Sequence, residues 1–430
     1  MNIRLVSSLT LAVIAALGAA LPRATAAEPV LAPNARLAIV GDSITEQKLY
    51  SKFIETYLLA CAGRPDISVF QYGWGGETAK GFSERMDNDL ANFKPTVVTL
   101  CYGMNDGQYR PYADDIGRGY ESAMRKVLAG LQRAGVEKVV VGSPGAVDTR
   151  YFNNNRFAPL SGAEGYNINL GRLRDIDRAL AEQTGQIFAD VHQPMVDTMA
   201  KAKTALGNEY DVCGRDGVHP GPNGHLIMAY AFLRGLGCDG NLGEIVVDLR
   251  GASTASGGHK VVNSSDGKAE IESTRYPFCL DGDAKSAGGT RSITAFFPFN
   301  QDLNRLTLKV KNLGENRAQV KWGDETKEFT REQLEAGINL AAEFSKTPFD
   351  AQFRKVMDAV GAKQNFETPM IKEMVTKFRQ FSDASKNDPE LVTAFAAVNK
   401  RLAARQQKLA ADARAQLKPV THTIEVIPVR

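Results

Sequence analysis

Little in this 430-residue sequence points to a metal, a nucleic acid or a membrane surface. Cysteine and histidine are scarce, five of each, and neither Cys-x-x-Cys nor His-x-x-x-His occurs, so a structural zinc site has no framework. Charge of either sign is in small excess at most: 52 Lys and Arg against 49 Asp and Glu give a net charge of +3, too little for a basic nucleic-acid face. No internal repeat and no long disordered tract interrupts the chain. Beyond the first residues no apolar run of bilayer-spanning length follows, and no apolar lid of the kind used at lipid interfaces is visible.

The N-terminal segment has the pattern of a secretory signal peptide. Arg4 supplies the positive start, Leu5 to Leu21 the apolar core, and Ala24-Thr25-Ala26 or Thr25-Ala26-Ala27 the small-x-small cleavage site. Pro22 and Arg23 interrupt the core, which disfavours a membrane anchor. The expectation is therefore a leader over residues 1–27 and a mature protein that is secreted or periplasmic, with no stable membrane insertion after cleavage. Export permits disulfides. Cys213–Cys238 and Cys61–Cys101 are both conceivable, Cys101 also reads as a buried thiol, and Cys279 completes an odd count, so the pairing stays open.

From Arg36 to about Gly237, short β-branched runs alternate with amphipathic segments. The runs are Leu37–Val40, Ile67–Phe70, Thr96–Leu100, Val139–Val141 and Ile187–Ala189. Between them lie stretches such as Tyr120–Arg133, with Met124, Val127, Leu128 and Leu131 at helical spacing. This alternation predicts a parallel sheet covered by helices on both faces, over residues 28–240. In such sheets ligands bind beyond the carboxyl ends of the strands.

After about residue 240 the pattern changes. Strands are expected at Glu244–Arg250, His259–Val262, Ala269–Thr274, Ser292–Phe299, Leu303–Val310 and Arg317–Phe329, separated by Gly-rich turns, as a small antiparallel sandwich. Residues from about 347 to 417 read as a helical insertion ahead of a last strand at Thr421–Ile427, with a separate C-terminal helical domain as the second reading. Residues 241–430 thus form an accessory region, whose role is either to bind substrate or to brace the first.

Four motifs carry the chemistry. Gly41-Asp42-Ser43 leaves the first strand; Ser43 is a candidate nucleophile, though Asp and Ser before a helix also serve as N-caps. Asp216-x-x-His219-Pro220 supplies a base and the carboxylate that orients it. His192, His225, His259 and His422 have no carboxylate at that spacing and read as satisfied polar groups, with His192 a candidate pocket wall. Gly75-Gly76-Glu77-Thr78 and Gly103-Met104-Asn105-Asp106 follow predicted strands. Gly76 can offer a backbone N–H and Asn105 a side-chain N–H to an oxyanion, with Ser43 N as a third donor.

In this order the four blocks resemble the SGNH hydrolases, also called GDSL-type esterases and lipases. The resemblance covers residues 35–237; Ile44 stands where that family's name has leucine. It implies a three-layer α/β/α flavodoxin-like fold, a Ser43–His219–Asp216 triad, an oxyanion hole of Ser43, Gly76 and Asn105, and no cofactor or metal. It further implies a serine esterase acting on a small-molecule or polysaccharide ester. The expected substrates are O-acetyl groups on carbohydrates, with Tyr102, Tyr109, Arg110, Tyr112 and the loop Asp148–Arg156 as candidate sugar contacts. A lipase, thioesterase or arylesterase is the second reading, and a scaffold with an inert hydrolase region the third. Oligomeric state is not readable from the sequence.

Overall fold

The computed structural model describes residues 29–154, 162–381 and 385–430; the expected leader, and Asn155 and Arg156, lie outside them. Five parallel strands, β1 (Arg36–Gly41), β2 (Ser68–Gln71), β3 (Val97–Cys101), β4 (Lys138–Gly142) and β5 (Ile187–Ala189), form one sheet in the order β2-β1-β3-β4-β5. Among the described residues the α-helices that accompany it are α1 (Ser43–Glu46), α2 (Tyr50–Thr56), α3 (Ala79–Leu90), α4 (Asp114–Arg133), α5 (Gly162–Thr184), α6 (His192–Leu206) and α7 (Pro222–Gly235).

The twofold periodicity of the strands divides their side chains between two cores. Leu37 and Ile39 join Phe53 of α2, Met195 of α6 and Phe232 of α7. Ala38 and Val40 join Phe82 of α3, Met124 and Leu131 of α4 and Leu180 of α5. Burial on both faces is why these strands are continuous apolar runs. The sequence turns at β1 to run both ways across the sheet, and the cleft at such a switch point is where this architecture holds ligands.

The C-terminal region holds two further sheets. One orders β13 (Ile338–Asn339), β10 (Arg305–Lys311), β6 (Asn241–Asp248) and β7 (Thr254–Ala255); the other orders β12 (Glu325–Thr330), β11 (Arg317–Trp322), β14 (Val420–Val429), β9 (Lys268–Ser273) and β8 (His259–Ser265). The second is antiparallel throughout, but β6 and β10 of the first run parallel. The segment expected as a strand at Ser292–Phe299 is instead a 3-10 turn at Ser292–Ala295 followed by α8 (Phe299–Leu303). Ile293, Phe297 and Phe299 are buried, Phe297 against Tyr230 of α7 and Phe299 against Phe278. Packing against α7 and Phe278 decides that segment over strand propensity. Two short helices, α9 (Arg331–Ala336) and α10 (Leu340–Glu343), flank β13. All five cysteines are free thiols, so neither candidate disulfide forms; Cys101 Sγ donates to Ser143 O and Cys213 lies 3.8 Å from the sulfur of Met195.

Between α10 and β14 the chain makes α11 (Asp350–Pro369), a π-helical continuation at Met370–Thr376, and the long α12 (Pro389–Ala415). This insertion packs back onto the first sheet. Strand β2 is an edge, and its outward backbone groups would otherwise lack partners. Lys363 donates to Val69 O at 2.9 Å, Glu367 accepts from Gln71 N at 3.1 Å, and Arg414 reaches Ile67 O and Ser68 Oγ. The Lys363 ammonium sits between Glu55 of α2 and Glu367, at 3.0 and 2.7 Å, all three essentially excluded from water. Gln364 donates to the Glu55 oxygen that Lys363 meets, and Gln406 to the Glu367 oxygen that Lys363 meets. Removing one partner of such a cluster strands uncompensated buried charge. Lys363→Met should therefore cost about 3–5 kcal/mol of unfolding free energy, read by urea denaturation; a loss below about 1 kcal/mol would show that the cluster does not secure this edge.

Candidate active site

Strand β1 ends at Gly41, and the chain enters α1 with no intervening loop. A Cβ at Gly41 would lie 2.2 Å from Thr45 Oγ1 and 2.7 Å from Cys101 O, so this turn admits glycine only. Asp42 caps the helix, its carboxylate accepting from Ile44 N at 2.9 Å. Burial pushes the Asp42 carboxyl up to about 7. Capping by Asp42 leaves Ser43 at the first helical position. There its own N–H has no acceptor among the described residues, as first-turn N–H groups lack one within the helix. The hydroxyl of Ser43 stands half-buried at the sheet edge.

His219, from the loop between α6 and α7, reaches it: Ser43 Oγ lies 2.8 Å from His219 Nε2. Asp216 holds the ring by closing its own turn. One carboxylate oxygen accepts from the backbone N–H groups of Val218 and His219, both at 2.9 Å, while the other meets His219 Nδ1 at 2.6 Å. Gly214 and Gly217 make the turn, each at φ +79°; a Cβ on Gly217 would strike Phe152 N at 2.2 Å. A neighbouring loop fixes the turn in space, because Asp148 N donates to Gly217 O at 2.8 Å.

The oxyanion candidates come from the two central loops. Asn105 Nδ2 donates to Glu77 O at 3.0 Å, and Asn105 Oδ1 accepts from Tyr109 OH at 3.2 Å. Fixing the amide oxygen leaves the second N–H of the amide outside these two bonds. Gln108 and Tyr109 are both held at positive φ, 57° and 53°, strain that places the Tyr109 hydroxyl against Asn105. Gly76 adopts φ +74° with open space where a Cβ would be, and its N–H has no acceptor among the described residues. Asp106 ties the two loops together, accepting from Ala79 N and from Gly103 N, each at 3.0 Å. Beneath the loop, Glu77 takes a bidentate pair from buried Arg85 and the hydroxyl of Tyr102.

The structure therefore brings Ser43, Asp216 and His219 together and sets Gly76 and Asn105 on adjoining loops. Sequence reasoning missed Tyr109 as the group that orients Asn105, Arg85 as the anchor of Glu77, and Glu46, which accepts from Gly75 N. Only the aromatic and charged character of the segments hinted at the first two. The candidate sugar contacts are mostly spent internally. Phe152 is fully buried and stacks on Tyr109 and Tyr166, Tyr102 is buried against Glu77, and Arg110 pairs with Asp115. Tyr151 is bonded to Glu209 and Arg215, and Arg150 pairs with Glu209. Each of the other histidines has at least one ring nitrogen bonded. His225 takes Tyr50 N and Gln47, and His192 meets Gly145 O. His259 and His422 flank Ser273, and Trp322 donates to His422. Among the described residues no group of three or more His, Cys, Asp or Glu could hold a metal ion.

Electrostatically, the hydrogen bond to Asp216 raises the His219 imidazole above its usual range, against the opposing effect of partial burial; the charges of Asp216 and Asp42 add to the rise. Burial pushes the Asp216 carboxyl up, but its bonds to the His219 ring and to two backbone N–H groups outweigh that and bring it down to about 2. A hydroxyl bonded to an imidazole that is itself oriented by a carboxylate can lose its proton as it attacks.

Comparison with known proteins agrees with this chemistry. Residues 39–227 match the GDSL-like Lipase/Acylhydrolase family. The chain is 25% identical over 228 residues to the acetylxylan esterase of Geobacillus stearothermophilus, covering 47% of this chain and 94% of that protein. In fold it is similar to a solved gut microbial diltiazem-metabolizing enzyme, with a TM-score of 0.68 at 23% identity over 92% of this chain and 98% of that one. That likeness takes in the C-terminal sheets and helices as well as the parallel sheet.

Because its pKa is raised in the folded protein, the His219–Asp216 pair adds stability that is complete below the imidazole's unfolded value and is lost as pH rises through the folded one. In NMR titration His219 should show a midpoint above about 6.5, and Asp216→Asn should bring it down. A midpoint unmoved by that substitution would show that Asp216 does not set the charge of the ring.

Proposed function

We propose that this chain, whose residues 39–227 belong to the GDSL-like Lipase/Acylhydrolase family, hydrolyses carboxylic esters through an acyl-serine intermediate on Ser43, with O-acetylated carbohydrate as its substrate. The single observation that carries the reading is the continuous bond line from Ser43 Oγ through His219 to Asp216, 2.8 Å and then 2.6 Å.

In the first half-reaction Ser43 Oγ attacks the acyl carbonyl carbon and its proton passes to His219 Nε2. Asp216 keeps Nδ1 protonated and stabilises the imidazolium that forms. The carbonyl oxygen becomes an oxyanion facing Ser43 N, Gly76 N and Asn105 Nδ2, preorganised donors that need no rearrangement as charge develops. The tetrahedral intermediate expels the alcohol, which takes the proton from His219. In the second half-reaction water attacks the acyl-serine, His219 removes its proton, and collapse releases the acid and returns that proton to Ser43.

The carbohydrate part of the proposal is supported by the acetylxylan esterase relative, nearly all of whose length is matched. It is supported also by the setting of the site: Gly75 and Gly76 are exposed and Ser43 is half-buried, so a hydroxyl-borne acyl group on a bulky carrier can approach. Export is part of the same reading and rests on the leader-like composition of residues 1–27. N-terminal sequencing of the protein recovered from outside the cytoplasm should begin at or near residue 27 or 28.

Acetate release from acetylated xylan should exceed cleavage of a long-chain acyl ester; the reverse ranking would favour a lipase or related esterase. Ser43→Ala should remove turnover by several orders of magnitude without unfolding the protein, and Asn105→Ala should lower kcat by roughly 10²–10³. Unaltered turnover by the Ser43 variant would reject the nucleophile, whereas absence of any esterase turnover in the unsubstituted protein would favour the scaffold reading.

A further inference from the structure

We infer that the C-terminal helical insertion positions the oxyanion loop, with Lys372 and Glu46 as positioning residues. This rests on the reading of Ser43 as nucleophile and Gly76 as an oxyanion donor. Glu46, at the end of α1, presents its two carboxylate oxygens in two directions. Oε2 accepts from the backbone N–H of Gly75, one peptide before Gly76; Oε1 accepts from Lys372 Nζ at 2.7 Å. Lys372 is separated from Glu46 by 326 residues and belongs to the insertion.

Glu46 is not merely a neighbour of this loop. A Cβ on Gly73 would lie 2.3 Å from Glu46 N, and a Cβ on Gly75 would lie 2.8 Å from Glu46 Oε2, so the loop runs flush against the nucleophile's own helix. Trp74, between those glycines, is held by charge: the Arg85 guanidinium lies 4.9 Å from its ring centroid and the Lys372 ammonium 5.0 Å. The insertion grips the other flank of the loop as well. Thr376 Oγ1 donates to Asp89 at 2.8 Å; Asp89 pairs with Arg85, and Arg85 carries Glu77. Lys372 and Thr376 are the two contacts, and both lie on the π-helical turn Met370–Thr376 that follows Pro369, a departure from α-helical geometry of the kind that recurs at functional sites. Residues 74–77 are thus clamped between the hydrolase sheet and a segment inserted before β14, the last strand of the accessory sheets.

Glu46 fixes the peptide that carries the Gly76 N–H, and Lys372 fixes Glu46. Loosening either lets that donor drift from the place where the oxyanion forms, and a donor displaced by a fraction of an ångström loses much of its effect on kcat but little of its effect on ground-state binding.

With p-nitrophenyl acetate as substrate, Lys372→Met should lower kcat about tenfold, a part of the effect of removing a whole donor, while KM changes less than about twofold. Inhibition by phenylboronic acid, whose tetrahedral Ser43 adduct mimics the oxyanion, should weaken by the same factor as kcat. Lys372→Arg, which can still pair with Glu46, should recover most of the rate. Glu46→Gln tests the strap from the other end, and the double variant should be no worse than the poorer single one, because both act through one bond. Lys377→Met, a charge lost from the neighbouring exposed turn, should change nothing. A folded Lys372→Met protein with wild-type kcat, a change confined to KM, or additive losses in the double variant would overturn the inference. Ser43→Ala separates this from the parent reading: if that variant is inactive while Lys372→Met and Glu46→Gln are normal, only the positioning role fails, whereas an active Ser43→Ala ends both.

Discussion

The hydrogen bond between Ser43 and His219 joins residues 176 positions apart, and the architecture can be understood as what is needed to make it. Ser43 is fixed because β1 runs into α1 without a loop, with only glycine able to fill the turn between them. His219 is fixed because Asp216 folds its turn around its own carboxylate and because Asp148 anchors that turn to the loop after β4. Each end is rigid on its own, so little conformational freedom remains to be lost when a substrate binds.

Around that bond the loops are secured by charge. Glu77, Arg85 and Asp89 form a buried network, as do Glu55, Lys363 and Glu367, and in each every ion has both a countercharge and further hydrogen bonds. Buried pairs of this kind add little net stability over apolar packing, but breaking one is costly. They tie specific partners: Arg85 can be satisfied only if α3 and the loop at residues 74–77 meet, and Lys363 only if the insertion lies along β2. The C-terminal region is thereby coupled to the hydrolase sheet. A different device holds the accessory sheet. Trp322 donates to His422, His422 to Ser273, Ser273 to His259, and His259 to Leu242 O; this direction follows once the indole, which can only donate, sets the first bond. Burial lowers the pKa of both imidazoles, keeping them neutral for that chain.

The parallel sheet was legible because its strands are buried on both faces and so appear as short unbroken apolar runs, and the site was legible because Asp216 and His219 interact within one turn. The strand expected at Ser292–Phe299 failed for the opposite reason: its aromatic residues satisfy strand propensity, yet they are consumed by contacts with Tyr230 and Phe278 that lie far away in sequence. The same holds for the supposed sugar contacts. Tyr102, Phe152 and Tyr151 have the side chains that bind glycans, but only packing reveals that they are already occupied.

The sequence alone determined the order of the chemical groups, the strand–helix alternation and the local turns that aim Ser43 and His219, since these depend on residues within a few positions of one another. Tertiary structure alone decided the direction in which β6 and β10 pair, the return of the insertion to the edge of β2, and the strap from Lys372 through Glu46 to Gly75. Those contacts join residues tens to hundreds of positions apart. No periodicity or motif encodes them, because what selects them is the need to pair each buried charge and backbone group once the chain has closed.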